Sequence, residues 1–148
     1  MKIGFKRIHP DAQLPVRKHI GDAGMDICSV EDVHLQEGKP TIVHTGLVAE
    51  IPDGYEIQVR PRSGLATKGV TVWNTPGTID AGYRGEIGVI LCFITPFNDE
   101  TKIRYFDIKK GDRIAQLVVA PVTQCEVVEV ASVSDTERGE GGFGSTGI

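Results

Sequence analysis

Glycine and proline punctuate this chain about every ten residues, so no stretch is long enough for an ordinary amphipathic helix. Gly fills 18 of 148 positions and Pro another 8. Between these breaks, apolar side chains alternate with polar ones. Tyr55, Ile57 and Val59 share one face while Glu56, Gln58 and Arg60 share the other, the period-two pattern of a half-buried strand. Ile87, Val89, Leu91 and Phe93 repeat the pattern, with Ile90 and Cys92 on the opposite face, which predicts a strand buried on both sides. Shorter strands are expected over residues 3–8, 41–45, 103–108, 114–119 and 126–130. Turn chemistry separates them at Glu37-Gly38, Pro52-Asp53-Gly54, Asp80-Ala81-Gly82 and Lys110-Gly111-Asp112. Many short strands at regular spacing predict an all-β barrel or sandwich. One helical turn is expected over residues 63–68, with Ser63 as its N-cap and Gly69 as its terminator.

Residues 1–137 read as one domain without a linker. From Arg138 the character changes: six of the last eleven residues are glycine or serine, which predicts a flexible tail, or a flap that orders over something. Sixteen Lys and Arg against 20 Asp and Glu give a net charge of -4. That balance argues against a nucleic-acid coat or an anionic-membrane binder, both of which need a broad positive field. A small polyanion needs only a few local cations. The longest apolar run, residues 87–94, is far short of a membrane span, and no secretory signal is visible. Cys28, Cys92 and Cys125 are odd in number and widely spaced. They are expected to be buried or half-buried free thiols in a reducing cytoplasm.

The generic nucleotide signatures are absent or misplaced. Gly139-Glu140-Gly141-Gly142-Phe143-Gly144 fits Gly-x-Gly-x-x-Gly, but it precedes the chain end instead of opening a helix after a strand. More informative is Pro61-Arg62-Ser63-Gly64-Leu65-Ala66, which sets a guanidinium, a hydroxyl and backbone N–H groups at one helix start. It reads either as an anion site or as an ordinary cap with a surface arginine. Thr78-Ile79-Asp80-Ala81-Gly82-Tyr83-Arg84-Gly85-Glu86 lies between strands, so Asp80 is expected in or beside a hairpin turn, either as a turn former or as a working carboxylate. Tyr83 has the core as its ordinary destination. Gly77 and Gly88 flank this segment, where side chains would block an approaching planar base. Ala23-Gly24-Met25-Asp26 and Gly111-Asp112-Arg113-Ile114-Ala115-Gln116 each place a carboxylate beside a glycine turn, and Asp112 and Arg113 read as an internal ion pair. The tail joins a cation, Arg138, to an aromatic, Phe143, and to the hydroxyls and amides of residues 144–147. That combination suits a flap over a phosphorylated, ring-bearing ligand.

These five segments, in this order and spacing from Ala23 to Gly147, resemble the five motifs of the trimeric dUTP diphosphatases (dUTPases). The resemblance implies a distorted jelly-roll or β-barrel of the β-clip type. It also implies hydrolysis of dUTP to dUMP and pyrophosphate by water attacking the α-phosphate. That reaction limits uracil entry into DNA and supplies dUMP for dTMP synthesis. On this resemblance Asp80 is the catalytic carboxylate that orients and deprotonates the water and meets the sugar 3′-hydroxyl. Tyr83 packs under the deoxyribose. Asn74 and the backbone of Gly77, Ile79 and Gly88 read uracil, with Thr78 in the same binding segment. Arg62, Ser63, Gly64 and Gln116 contact phosphate, and Asp26 holds the water shell of Mg²⁺. Arg138 clamps the γ-phosphate, Phe143 stacks on uracil, and Gly144, Ser145 and Thr146 wrap the ligand. A homotrimer with sites at subunit boundaries is implied as well. The long, aromatic-rich segment around Phe93, Phe97, Tyr105 and Phe106 reads as a surface hairpin variant. A dCTP deaminase on the same fold is the nearest rival; it needs a glutamate in the base pocket, for which Glu86 is the only nearby acid. A non-catalytic module is the other rival, and it would be marked by loss of Asp80 or of the tail.

Overall fold

The computed structural model describes residues 1–95 and 104–142. Eleven strands and one helical turn are present among them: β1 Gly4–Arg7, β2 Gly24–Cys28, β3 Val33–Gln36, β4 Thr41–His44, β5 Leu47–Glu50, β6 Tyr55–Arg60, α1 Ser63–Ala66, β7 Val70–Val72, β8 Gly77–Ile79, β9 Gly88–Phe93, β10 Tyr105–Ile108 and β11 Arg113–Pro121. Every strand pair is antiparallel. They form four small sheets, ordered β2-β11-β6-β8, β4-β9-β7, β1-β5 and β3-β10. The all-β expectation of a distorted jelly roll with one short helix is met.

Period-two burial follows the sequence. Ile57 and Val59 of β6 are buried, and Val89, Leu91 and Phe93 of β9 are buried together with Cys92 on the other face. Ile27, Leu35, Leu47, Leu91, Ile114 and Leu117 belong to the same core, to which every strand except β1 contributes a buried side chain. At the start of β11 the register shifts between Arg113 and Ala115. This bulge lets Ile114 and Ala115 both bury, and it sets Gln116 opposite Asp26 of β2 and Arg60 of β6.

Gly46, between β4 and β5, has φ +65°. A Cβ there would lie 2.5 Å from His9 Cβ and 3.0 Å from Ala12 Cβ. Left-handed strain and overpacking therefore act together. Gly46→Ala is expected to cost about 3 kcal/mol, measured as a lowered urea midpoint; an unchanged midpoint would contradict the packing described.

Several expectations are corrected. Residues 126–130 form no strand, and Val127, Val128, Val130 and Val133 are exposed, because a strand needs a ladder partner and none pairs with this segment among the described residues. Asp80 does not sit in a hairpin: β8 pairs with β6, whereas β9 pairs with β4 and β7, so residues 80–87 cross between two sheets. Asp26 lies within a strand, not beside a glycine turn, since Gly24 opens β2 opposite Val118. The N-cap of α1 is Arg62, extended and without a side-chain cap bond, and Ser63 is the first helical residue. Cys125 is exposed, while Cys28 is half-buried and Cys92 buried. In the aromatic segment Phe93 is buried and packs on Phe106 at 5.9 Å between ring centres, while Tyr105 stays on the surface against His34; Phe97 lies outside the described residues. Among the described residues no helix is long and apolar enough to cross a membrane.

Candidate active site

Two clusters gather most of the residues singled out in the sequence. The first stands where β2, β11 and β6 lie side by side. Asp26 Oδ1 accepts from Arg62 Nε at 2.7 Å, and its Oδ2 accepts from Arg113 Nη1 at 3.2 Å. Arg62 Nη1 also donates to the Arg113 carbonyl at 3.2 Å. Two guanidiniums against one carboxylate leave a local charge of about +1, facing solvent beside the exposed start of α1. There Leu65 and Ala66 donate back to the Arg62 carbonyl, which leaves the N–H groups of Ser63 and Gly64 without an intrahelical partner. Gln116 Nε2 donates to the Pro61 carbonyl at 2.9 Å. It can lie there because Gly24 has no side chain: a Cβ on Gly24 would overlap Gln116 Oε1.

Arg113 joins this cluster through Asp26, which its sequence context does not announce. Its pairing with Asp112, expected from adjacency, does not form: Asp112 instead accepts the Lys109 N–H at 2.9 Å and braces the turn at Gly111. The usable signal was register, since a strand residue reaches across to its neighbour strand more readily than along its own. Cys28 is two residues from Asp26. Burial first, and then the Asp26 charge, push its thiol up, so it stays protonated at neutral pH and offers no nucleophile.

The second cluster lies between sheets. Asn74, Gly77, Thr78, Ile79, Tyr83 and Gly88 line one cavity of about 130 Å³, with Val59, Glu86, Ile87 and Ile90 completing its wall. This is smaller than the about 300–1,000 Å³ of sites that hold a drug-sized ligand. It suits a single ring and leaves the rest of a nucleotide outside. Gly77 packs against the Asn74 side chain, which a Cβ would meet at 3.2 Å, and a Cβ on Gly88 would meet Ile42 at 2.9 Å.

Asp80 follows directly on Ile79. It is exposed, and its carboxylate makes no hydrogen bond or ion pair with the described residues. The turn that carries it is held by Tyr83 N–H donating to the Asp80 carbonyl at 3.0 Å. Arg84 Nη1 reinforces it by donating to the carbonyls of Ala81 and Tyr83 at 2.7 and 2.9 Å. Tyr83 is not a core residue: it is 48% exposed, and its hydroxyl donates to the Glu86 carbonyl at 3.1 Å. Glu86 lines the cavity, but Gly46 N–H occupies one carboxylate oxygen and His44 Nδ1 the other, at 2.8 and 2.9 Å. It is therefore poorly placed to serve as the free acid that deamination requires.

No hydrogen bond or ion pair joins the two clusters among the described residues, although β6 adjoins both, with Arg60 opposite Gln116 and Val59 opposite Gly77. Arg138 bonds to neither among the described residues: it donates to the Gly141 carbonyl within its own turn at 2.9 Å. Phe143, Gly144, Ser145 and Thr146 lie outside the described residues. A larger groove of about 340 Å³ near the N-terminus is lined mainly by apolar groups such as Ile3, Phe5 and Leu14, and it lacks the convergent polar groups of a nucleotide site.

A family model described as dUTPase matches residues 10–147. The deoxyuridine 5′-triphosphate nucleotidohydrolase of Nautilia profundicola is 53% identical over 148 residues, covering 99% of each chain. The protein of the same name from Picosynechococcus sp. is 51% identical with the same coverage. Among solved structures, a dUTPase variant of Staphylococcus bacteriophage 80alpha with dUpNHpp matches at TM-score 0.88 and 32% identity over 99% of each chain. A phage phi11 dUTPase variant described with a structural Mg(II) ion matches at TM-score 0.79 and 27% identity, over 89% of this chain and 98% of that one.

Proposed function

The chain belongs to the dUTPase family and hydrolyses dUTP; from that premise we propose that water attacks the α-phosphorus, releasing dUMP and pyrophosphate, with Asp80 as the base. The observation that carries this reading is the contrast between two carboxylates. Asp26 is committed to two guanidiniums, whereas Asp80 has no partner among the described residues and follows Ile79, which lines the ring-sized cavity. Of the two, Asp80 gives up no ion pair among the described residues when it holds a water and takes its proton. A fixed general base contributes about 10²–10⁴-fold to such a step.

Uracil enters the cavity, read by Asn74 and the backbone of Gly77, Ile79 and Gly88, with Thr78 at its edge. Tyr83 lies against the deoxyribose, so a 2′-hydroxyl meets the ring and is excluded. The triphosphate runs to the positive cluster of Arg62, Ser63, Gly64 and Gln116, where developing charge is met by fixed donors. Arg138, Phe143, Gly144, Ser145 and Thr146 form a closing flap, residues 138–148, that excludes water.

A divalent cation, which we take as Mg²⁺, suits this donor set only through water. Among the described residues no three His, Cys, Asp or Glu side chains converge, and Asp26 keeps lone pairs beyond its two guanidinium bonds. An ion held mainly by the triphosphate and its own waters matches that arrangement and would supply neutralisation of phosphate charge. Separate phosphate and base clusters, a cavity smaller than the substrate, and the exposed valines of residues 127–133 support a homotrimer in which neighbouring chains complete each site. The odd, unpaired thiols support a cytoplasmic enzyme.

Gly24→Ala should push the Gln116 amide off Pro61 and raise KM for dUTP roughly tenfold, while the flexible amide moves aside and the melting temperature stays close to wild type. An unchanged KM would remove Gln116 from the phosphate site. The overall reading is tested by assaying dUTP, dCTP, dTTP and UTP in ¹⁸O-water. Pyrophosphate from dUTP alone, with the label in dUMP, is expected. Ammonia from dCTP, or label in pyrophosphate, would overturn it.

A further inference from the structure

We propose that Glu86 is a positioning residue for sugar selectivity, acting through Tyr83; this rests on the reading of Tyr83 as the surface against which the deoxyribose packs. Excluding a single hydroxyl requires that the ring be held still, yet Tyr83 is half in water and sits on a crossing loop. Two features fix it. The ring lies across the backbone at Gly85, where a Cβ would overlap the tyrosine hydroxyl. The hydroxyl itself is anchored on the Glu86 carbonyl at 3.1 Å.

That carbonyl shares a planar peptide unit with the Ile87 N–H, which donates to the Leu47 carbonyl at 2.8 Å, so one end of the unit is held by the backbone. The Glu86 side chain holds the Cα at the other end. The carboxylate reaches back to the junction of β4 and β5 and takes the Gly46 N–H at 2.8 Å and the His44 ring at 2.9 Å. Gly46 is buried and closely packed against His9 and Ala12, which makes it a firm anchor. The next peptide unit is pinned by Thr45 Oγ1 donating to the Ile87 carbonyl at 2.6 Å. The carboxylate clamp adds the hold on the Tyr83 side of residue 86, where the backbone bond at Ile87 does not reach. The same two donors offset the negative charge of an acid that lines the cavity of a polyanionic substrate, which would otherwise repel it.

The test is a double-mutant cycle between Glu86→Ala and Tyr83→Ala, read as the ratio of kcat/KM for dUTP to that for UTP. A defect of stability alone does not move this ratio. Glu86→Ala is expected to lower it roughly tenfold, the scale of one lost charged hydrogen bond. Glu86→Gln keeps an acceptor for Gly46 and should restore most of it, and Glu86→Ala should add little in the Tyr83→Ala background. If Tyr83→Ala relaxes the ratio while Glu86→Ala leaves it unchanged, the clamp is overturned and the role of Tyr83 stands. If Tyr83→Ala leaves the ratio unchanged, the reading of Tyr83 falls and the clamp with it. Should Glu86→Ala not fold, His44→Ala removes the exposed half of the clamp: a measurable drop supports the proposal and an unchanged ratio overturns it.

Discussion

Asp80→Asn is expected to bind dUpNHpp nearly as well as the wild type while kcat for dUTP falls by roughly 10²–10⁴-fold. The replacement keeps the size and polarity of the side chain and removes its ability to accept a proton. Because the Asp80 carboxylate bonds to nothing among the described residues, and the turn beneath it is held by Tyr83 N–H and Arg84, the substitution breaks no internal contact and the melting temperature should not move. A large loss of nucleotide affinity with turnover retained would mean that Asp80 binds and does not catalyse. The corresponding change at Asp26 has a different signature: it strips the shared partner from Arg62 and Arg113, so affinity and local order suffer together.

Deleting residues 138–148 is expected to leave the fold intact and to reduce kcat/KM for dUTP by about 10³-fold or more, the scale of an arginine supplied to a phosphate transition state. Among the described residues the fold has little hold on this segment: the residues just before it are exposed, and Arg138 bonds to the Gly141 carbonyl of its own turn. On the proposed reading, what is lost is a cation, an aromatic plate and the closure that keeps bulk water out. Circular dichroism and melting should match the full chain while the assay collapses. A truncated protein of full activity would remove the flap from the mechanism.

What the residues disclosed depended on the range of the interaction. Alternation in β6 and β9 is a local signal, and the buried faces of Ile57, Val59, Val89 and Leu91 follow it. The turns at Gly38, Gly54 and Gly111 were equally legible, since each adopts a positive φ that glycine alone enters cheaply. The four-residue strands β3 and β5 and the three-residue strands β7 and β8 carry too few residues to show a period, and their partners come from far along the chain. Residues 126–130 show the converse: β-prone composition cannot make a strand where no ladder is on offer.

The candidate site divides in the same way. Arg62, Asp80 and Tyr83 stand out locally as charged or aromatic residues in glycine-bearing segments between strands, and the roles proposed for them come from the family resemblance. The partner of Arg113 was hidden by adjacency, because Asp112 stands next to it in the chain while Asp26 stands next to it in space. The clamp on Glu86 from His44 and Gly46 spans 40 residues and more, and no local pattern announces it. Gly24 and Gly85 owe their identity to a side chain that crosses them, Gln116 in one case and Tyr83 in the other, which only a three-dimensional arrangement reveals.

The central claim is that Asp80 aims a water at the α-phosphorus, and a crystal structure of the full-length chain with dUpNHpp tests it most directly. The account predicts one ordered water within about 3 Å of an Asp80 oxygen, in line with the bond from the α-phosphorus to its bridging nitrogen, and uracil seated in the cavity between Asn74 and Gly88. An Asp80 side chain turned away from the phosphorus, with no water between them, would contradict it.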